Sequence, residues 1–555
     1  MKSQFAFDPE NHGLLAGSTR LAEHAGPWKA VWERFRDAPQ RYPGIRLLLQ
    51  RCKPPMFGLF DDATTVDGWP QWNEAQETVL RHGLLALDRL PAHEARTKVL
   101  ELEAIHGSRR RLVWAELGEA PLVCGLEHLA VLAETTRQSL AAGALTDLAA
   151  GYRSQGWRAD DALLRALGHI ETTQDFKAVA VAIRAIYLPW AEESARYLQD
   201  LWKKQGPKAA HGNDRGGGSP ECVLFVDGLR FDCAKRLVSL LKRGGFAIEE
   251  RERWAALPTV TGTGKPAVAP LVKENAIAEE PGVYNFDPLT PYQLRKALEQ
   301  NGWTILDRKA SVPAMTAVDP PRLWVECGDL DHEGHDRGWR LARQVDVLLA
   351  EVHERIAALV AAGWKRVRIV TDHGWLLLPG GLPKVDLPAS VVESKWGRCA
   401  AIKPGASTDA QEFPWHWNSH QHVALADGAG CFRKGEEYAH GGISLQECLT
   451  LELTVTGAKA SAGGQVILTD VVWRGLRCTV GVEGDCAGLA LDIRTRPGNP
   501  DSSVVFGLKP LKENGTASVV VADEDLEGRD AVVVLIDKNG GLVAQLVTVI
   551  GGGRS

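Results

Sequence analysis

The spacing of hydrophobic positions changes character along the chain. Through residues 20–205 apolar residues recur three and four apart, as in "EARTKVLELEAIHG", "DLAAGYRSQGWRADDALLRALGHI" and "FKAVAVAIRAIYLPWAEESARYLQDLWKKQ". That period marks amphipathic helices and predicts a helical domain over 1–205. The stretch "QGPKAAHGNDRGGGSPE" has no apolar period and is rich in glycine and polar side chains, which predicts a flexible linker over 206–220.

Beyond it, short apolar runs ("CVLFVDG", "FAIEER", "GWTIL", "RLWVEC", "VRIVTDHG") alternate with helical segments such as "AKRLVSLLKRGG" and "ARQVDVLLAEVHERIAALVAAG". Strand and helix in alternation predict an α/β domain over 221–455, with a mostly parallel sheet between helices. In such sheets ligands collect at the carboxyl ends of the strands. From about residue 456 the runs become short and β-branched between turn residues ("GQVILTDVVW", "LRCTVGVEG", "AVVVLIDKNGGLVAQLVTVI"), which predicts a small β-sandwich over 456–555. The final "GGGRS" reads as a flexible tail.

Composition narrows the possibilities. With 555 residues, 45% hydrophobic and 24% charged, the chain can bury large cores without staples, and a net charge of −6 excludes a basic nucleic-acid coat. Contact with phosphates must come from a local patch or from bound metal. The ten cysteines are scattered with no C-x-x-C pair, which points to reduced thiols and away from a cysteine-held zinc. No stretch approaches the ~20 apolar residues of a membrane span, and the first residues lack a signal-peptide core. These features set a cytoplasmic expectation with no membrane partner.

Four places in the α/β region carry metal-ligand chemistry. "VLFVDGLRFD" ends an apolar run on Asp227, and "RLWVECGDLDHEGHDRGW" spaces Asp331 and His335 as Asp-x-x-x-His. "VRIVTDHGW" sets Asp372 beside His373, and "EYAHGGISLQE" sets His440 before two glycines. Each alone reads as a turn or a solvated loop. Strand ends of one parallel sheet converge, however, and three aspartates with three histidines at one edge are costly to crowd together without cations. Oxygen and nitrogen ligands without sulfur suit Zn²⁺ or Mn²⁺, and six are appropriate for two ions about 3.5–4 Å apart, an arrangement suited to phosphoryl transfer. The glycine-containing loop "ALPTVTGTGKPAVAP" offers Thr259, Thr261 and Thr263 as nucleophiles that a cation would activate.

"VDGLRFD", the Pro-Thr-x-Thr loop, Asp-x-x-x-His, "TDHGW" and "HGGISLQE" occur in the order seen in the PglZ family of BREX phage-defence systems, a branch of the alkaline phosphatase superfamily, which residues 220–455 resemble. The resemblance implies an alkaline-phosphatase-like core holding two divalent metal ions, zinc before manganese. It implies one metal on Asp331, His335 and His440. The other would sit on Asp227, Asp372, His373 and the oxygen of Thr261, which is also the nucleophile, with Thr259 as the fallback. Family members usually extend further at the amino terminus, so a trimmed start is expected here.

Lys265 and Arg398 are candidate phosphate contacts, since Arg and Lys clamp transferring phosphoryl groups. "HWNSHQH" adds His416, His420 and His422 as side candidates, and Asp329, His332 and Asp336 surround the second motif. The expected function is a two-metal phosphodiesterase, with DNA among the candidate substrates and other BREX proteins as partners, by analogy of family. The alternatives are a phosphomonoesterase and a defence-complex scaffold whose metal is structural.

Overall fold

The structure, a computed structural model, describes residues 5, 7–36, 39–57, 66–206, 221–271, 286–308, 310–312, 322–457, 466–483, 486, 488–497, 499–512, 514–537 and 540–552. Residues 207–220 of the expected linker and 553–555 of the expected tail lie outside them. The chain divides into two compact units, Met1–Thr456 and Gly457–Ser555.

The first unit begins with helices that include Pro9–Glu23, Pro43–Arg51, Pro70–Leu85, Ala92–His106, Pro121–Thr135, Trp157–Gly168, Thr173–Ile186 and Leu188–Gln205. Proline opens several of them, where its fixed φ suits the first turn and its missing N–H costs nothing. Thr172 caps the helix Thr173–Ile186 by accepting from the Asp175 N–H.

Twelve strands follow among the described residues of this unit. They are β1 (Glu221–Val226), β2 (Ala247–Trp254), β3 (Trp303–Leu306), β4 (Arg322–Cys327), β5 (Arg366–Val370), β6 (Leu376–Leu377), β7 (Val392–Lys395), β8 (Cys399–Ile402), β9 (Gln411–Pro414), β10 (His422–Leu425), β11 (Tyr438–Ala439) and β12 (Leu449–Thr456). The central sheet has the order β2-β12-β5-β1-β4-β3. β1 pairs in parallel with β4 and β5, and β3 with β4, whereas β12 pairs antiparallel with both β5 and β2. Five strands therefore point one way and β12 the other. The mostly parallel sheet expected from the strand and helix alternation is the one observed.

Alternate residues of β1 serve two cores. Cys222, Leu224 and Val226 face the layer containing the helices Phe231–Arg243 and Val345–Ala361, and Val223 and Phe225 face Leu294 and Leu298 of the helix Pro291–Gln300. A strand buried on both sides needs a continuous apolar run, which "CVLFV" supplies. Each such fully buried large side chain stabilises the fold by roughly 1.5–3 kcal/mol.

The amino-terminal helices share the first of these cores with the sheet. Gln199 donates to the carbonyls of Gly428 (3.1 Å) and Ile443 (3.0 Å) and accepts from the Gly428 N–H (2.9 Å). Buried Asp160 accepts from the hydroxyls of Tyr152 and Tyr187, and Arg230 donates to its carbonyl at 3.3 Å. β7–β10 form a separate antiparallel sheet in the order β7-β8-β10-β9, and β6 pairs with β11.

The second unit contains β13 (Ile467–Arg474), β14 (Arg477–Glu483), β15 (Ala490–Arg494), β16 (Lys509–Pro510), β17 (Thr516–Val520), β18 (Asp530–Ile536) and β19 (Leu542–Val549). They form two antiparallel sheets, β13-β14-β17 and β16-β15-β18-β19, whose Cys478, Val480, Leu491, Ile493, Val519 and Val533 meet in one core. This is the small β-sandwich its turn spacing predicts. Among the described residues no helix is long and apolar enough to cross a membrane.

Candidate metal centre

The carboxyl edge of the central sheet gathers the expected side chains. Asp227 follows β1 directly, and Asp372 and His373 follow β5. Asp331 and His335 lie one turn apart on the helix Leu330–Arg337 after β4, so both face the same way. Because β12 runs against its neighbours, its start is at this same edge, which brings His440 in from the preceding segment. Trp254, the last residue of β2, pairs with Leu449 and carries the threonine segment to the same place.

Two groups of potential ligands result. Asp227, Asp372 and His373 form one, and Asp331, His373 and His440 the other, with the ligand atoms of each group within 4.8 Å of one another. His373 Nε2 lies 3.4 Å from Asp372 Oδ2, 3.9 Å from Asp227 Oδ1 and 3.3 Å from Thr261 Oγ1. His440 Nε2 lies 3.4 Å from Asp331 Oδ1 and 2.9 Å from His335 Nε2, which is itself 3.7 Å from Asp331 Oδ2. The rings of His373 and His440 stack with centroids 4.1 Å apart.

Hydrogen bonds settle which atoms point inward. His373 Nδ1 donates to the Gly374 carbonyl (3.1 Å) and His440 Nδ1 to the Thr259 carbonyl (2.8 Å). A carbonyl only accepts, so in the neutral rings the proton sits on Nδ1 and the Nε2 lone pairs face the centre. Asp372 Oδ1 accepts from the N–H groups of His373 (3.0 Å) and Gly228 (3.3 Å), while its Oδ2 and Asp227 Oδ1 are buried without a hydrogen-bond partner. Buried carboxylate oxygens left unpaired beside the His373 lone pair fit a divalent cation on the Asp227 and Asp372 side of that ring.

Electrostatics agree with that reading. Burial pushes the Asp227 carboxyl well above its ordinary range, and the Asp372 and Asp331 carboxylates push it further. Burial acts on Asp331 in the same direction, but His440, His373, His335 and the Tyr438 hydroxyl outweigh it and hold that carboxyl low. Burial lowers both His335 and His440 against the opposing pull of Asp331, in the direction of the neutral form a metal requires.

The three threonines separate cleanly. Thr259, fully buried, donates to the Gly442 carbonyl (2.9 Å) and accepts from the Gly441 N–H (3.0 Å). Thr263, also fully buried, donates to the Phe286 carbonyl (2.8 Å) and accepts from the Trp415 indole (3.0 Å). Thr261 alone of the three turns its hydroxyl to His373.

The segment expected as a loop becomes the helix Thr261–Val268 despite Gly262, Gly264 and Pro266. Close approach explains one of those glycines: a Cβ on Gly264 would sit 2.8 Å from both the Cβ and the carbonyl oxygen of Asp372. Likewise, a Cβ on Gly334 would meet the Tyr438 ring at 2.3 Å, so glycine lets the Asp331/His335 helix press onto that ring.

Lys265 and Arg398 differ in their placement. Lys265 lies on the wall of the adjoining cavity, paired with Glu326 at 2.8 Å and above the Phe225 ring. Arg398 does not face that cavity: its guanidinium is fully buried, bound to Glu447 (2.8 Å) and to the carbonyls of Gly428 and Gly430. Its role is to tie the segment before β12 to the β8 region. Arg398→Ala leaves Glu447 as an unpaired buried charge and should lower unfolding stability by about 3–5 kcal/mol in denaturant titration. A fully stable variant with impaired substrate binding would instead make Arg398 a substrate contact.

Of the remaining candidates, His420 and His422 are exposed, and His416 is half-buried on a small cavity near Thr371. His332 pairs with Asp336 at 3.4 Å on the outer face of its helix, and Asp329 pairs with Arg308. Tyr438 was not singled out from the sequence, yet its hydroxyl donates to Asp331 Oδ1 at 2.8 Å. The signal in the sequence was only nearness, since Tyr438 stands two residues before His440.

No protein-family model matches the sequence, and no curated protein matches it. Among solved structures, murine ectonucleotide pyrophosphatase/phosphodiesterase 5 is similar at 13% identity and TM-score 0.31, covering 42% of this chain and 87% of that one. An inactive form of the murine protein in complex with AMP is similar at 13% identity and TM-score 0.31, covering 43% and 88%. The human counterpart is similar at 14% identity and TM-score 0.30, covering 42% and 87%.

Proposed function

We propose that the protein is a two-metal phosphodiesterase with an alkaline-phosphatase-like core and Thr261 as its nucleophile. The observation that carries this reading is the pair of unpartnered buried oxygens, Asp227 Oδ1 and Asp372 Oδ2, beside His373, with the Thr261 hydroxyl 3.3 Å from that imidazole. One cation would be held by Asp227, Asp372, His373 and Thr261, and the other by Asp331, His335 and His440. Divalent cations there would polarise the phosphoryl oxygens and favour the alkoxide of the threonine.

Thr261 stands in the first turn of its helix, where backbone N–H groups favour developing negative charge. Its Oγ forms a bond to phosphorus as the bond from phosphorus to the first ester oxygen breaks, and the departing alcohol takes up a proton. Water then cleaves the bond between Oγ and phosphorus, restoring the threonine hydroxyl and releasing a monoester.

The diester preference rests on the neighbouring charges. Three cations line the adjoining cavity among the described residues, and each has a carboxylate: Lys265 with Glu326 (2.8 Å), Arg295 with Asp307 (3.2 Å) and Arg433 with Glu436 (3.9 Å). A monoester dianion needs a further positive clamp, and a diester monoanion does not. A role in phage defence, with DNA as a substrate and other defence proteins as partners, follows from the PglZ resemblance of the motifs.

Hydrolysis of bis-p-nitrophenyl phosphate and p-nitrophenyl phosphate by stripped protein reloaded with Zn²⁺ or Mn²⁺ tests the reading. The expected result is a kcat/KM for the diester about tenfold or more above that for the monoester. The reverse preference identifies a phosphomonoesterase, and metal retention without any hydrolysis identifies a structural centre.

A further inference from the structure

A cavity of about 700 Å³ opens beside Thr261, Asp331, His335 and His440. That volume is ordinary for a small-molecule site, roughly 300–1,000 Å³. Away from the ligand cluster its wall has an apolar and aromatic part, formed by Pro266, Leu289, Tyr292, Leu298, Ile305 and Trp396, among charged side chains. Tyr292 is 74% exposed, and Trp396 is held against Phe286 with ring centroids 4.7 Å apart. An exposed aromatic at the edge of an apolar recess is a stacking platform. Among the described residues the cations of this wall are the three already paired with carboxylates, and Asp287 adds a further acid, so the wall offers no spare positive charge.

We propose that this chamber receives one ester arm of the substrate as a single neutral, flat aromatic or heteroaromatic group of nucleoside size, with one phosphate at the ligand cluster. This rests on the phosphoesterase reading of that cluster. Ring stacking and burial favour a flat group over an alkyl one. A second phosphate in the chamber would lie among the carboxylates of Glu326, Asp307 and Glu436, which disfavours a charged arm.

Phenylphosphonate and methylphosphonate share an anionic head and differ only in the organic group, so calorimetric titration of both into the zinc-loaded full chain reads the chamber directly. Phenylphosphonate should bind about tenfold or more tightly, and Tyr292→Ala, at a surface position, should reduce that preference about threefold or more. Equal affinities in the wild type, or a preference that Tyr292→Ala and Ile305→Asp both leave intact, overturn the proposal.

Turnover of bis-p-nitrophenyl phosphate in the same preparation separates the two readings. Turnover with equal phosphonate affinities leaves the phosphodiesterase standing and removes the chamber. Phenyl preference without turnover of any ester supports the chamber and removes the hydrolytic reading. Binding of neither phosphonate together with no turnover overturns both.

Discussion

Thr261→Ala should reduce diester turnover by on the order of 10³-fold or more while leaving the fold intact and the cation still held by Asp227, Asp372 and His373. The size of the effect follows from the commitments of its neighbours. Thr259 and Thr263 lie two residues to either side, but each is fully buried and already both donates and accepts, so neither hydroxyl can turn to take over. The side chain of Thr261 is half-buried beside His373, and its loss removes no buried hydrogen bond to backbone. Thermal unfolding of the variant is therefore expected to match the wild type, metal analysis should still find both equivalents with weaker binding where the Thr261 oxygen is lost, and Thr261→Ser should restore part of the rate. An active Thr261→Ala protein would sink the covalent route.

Asp372→Asn should remove one of two bound metal equivalents, weakening that site by on the order of 100-fold or more. The amide oxygen can keep the place of Oδ1, which accepts from the N–H groups of His373 and Gly228. The amide nitrogen then replaces Oδ2, the atom left without a partner, and aims a donor where a ligand lone pair is needed. Without metal the change relieves repulsion between Asp372 and Asp227, so the stripped variant should unfold no earlier than the stripped wild type. Two equivalents retained at wild-type affinity would remove Asp372 from the ligand set, and a marked loss of stability in the stripped form would make its role structural.

The parts of this molecule legible in the sequence are those where a short run of residues carries its own reason. "CVLFVDG" and "VRIVTDHG" read as buried strands ending in acids because both faces of the sheet are covered, and Asp-x-x-x-His reads as one helical face. What escaped was set by partners distant in the chain. Nothing around "KWGRCA" announces that Arg398 meets Glu447 in a buried pair, nor does the threonine loop show that Gly441, Gly442 and Phe286 occupy two of its three hydroxyls. The helix Thr261–Val268 defies its own glycines and proline because packing against Asp372, rather than local propensity, decides its course. The aromatic wall was invisible for the same reason: Tyr292 and Trp396 come to line one cavity with the ligand cluster only in the folded chain.

The buried links between the amino-terminal helices and the sheet limit how this protein can be dissected. Arg230, which stacks over Trp375 and grips Asp232, also reaches the carbonyl of Asp160, and Gln446 donates to the Asp160 side chain. A fragment begun at β1 would expose Trp254, which packs on Trp202, and strip Gln199 from three backbone partners near β12. Activity lost on deleting residues 1–205 would thus report a damaged scaffold beneath the ligand cluster rather than a missing recruitment module, and mapping by point substitution is the informative route.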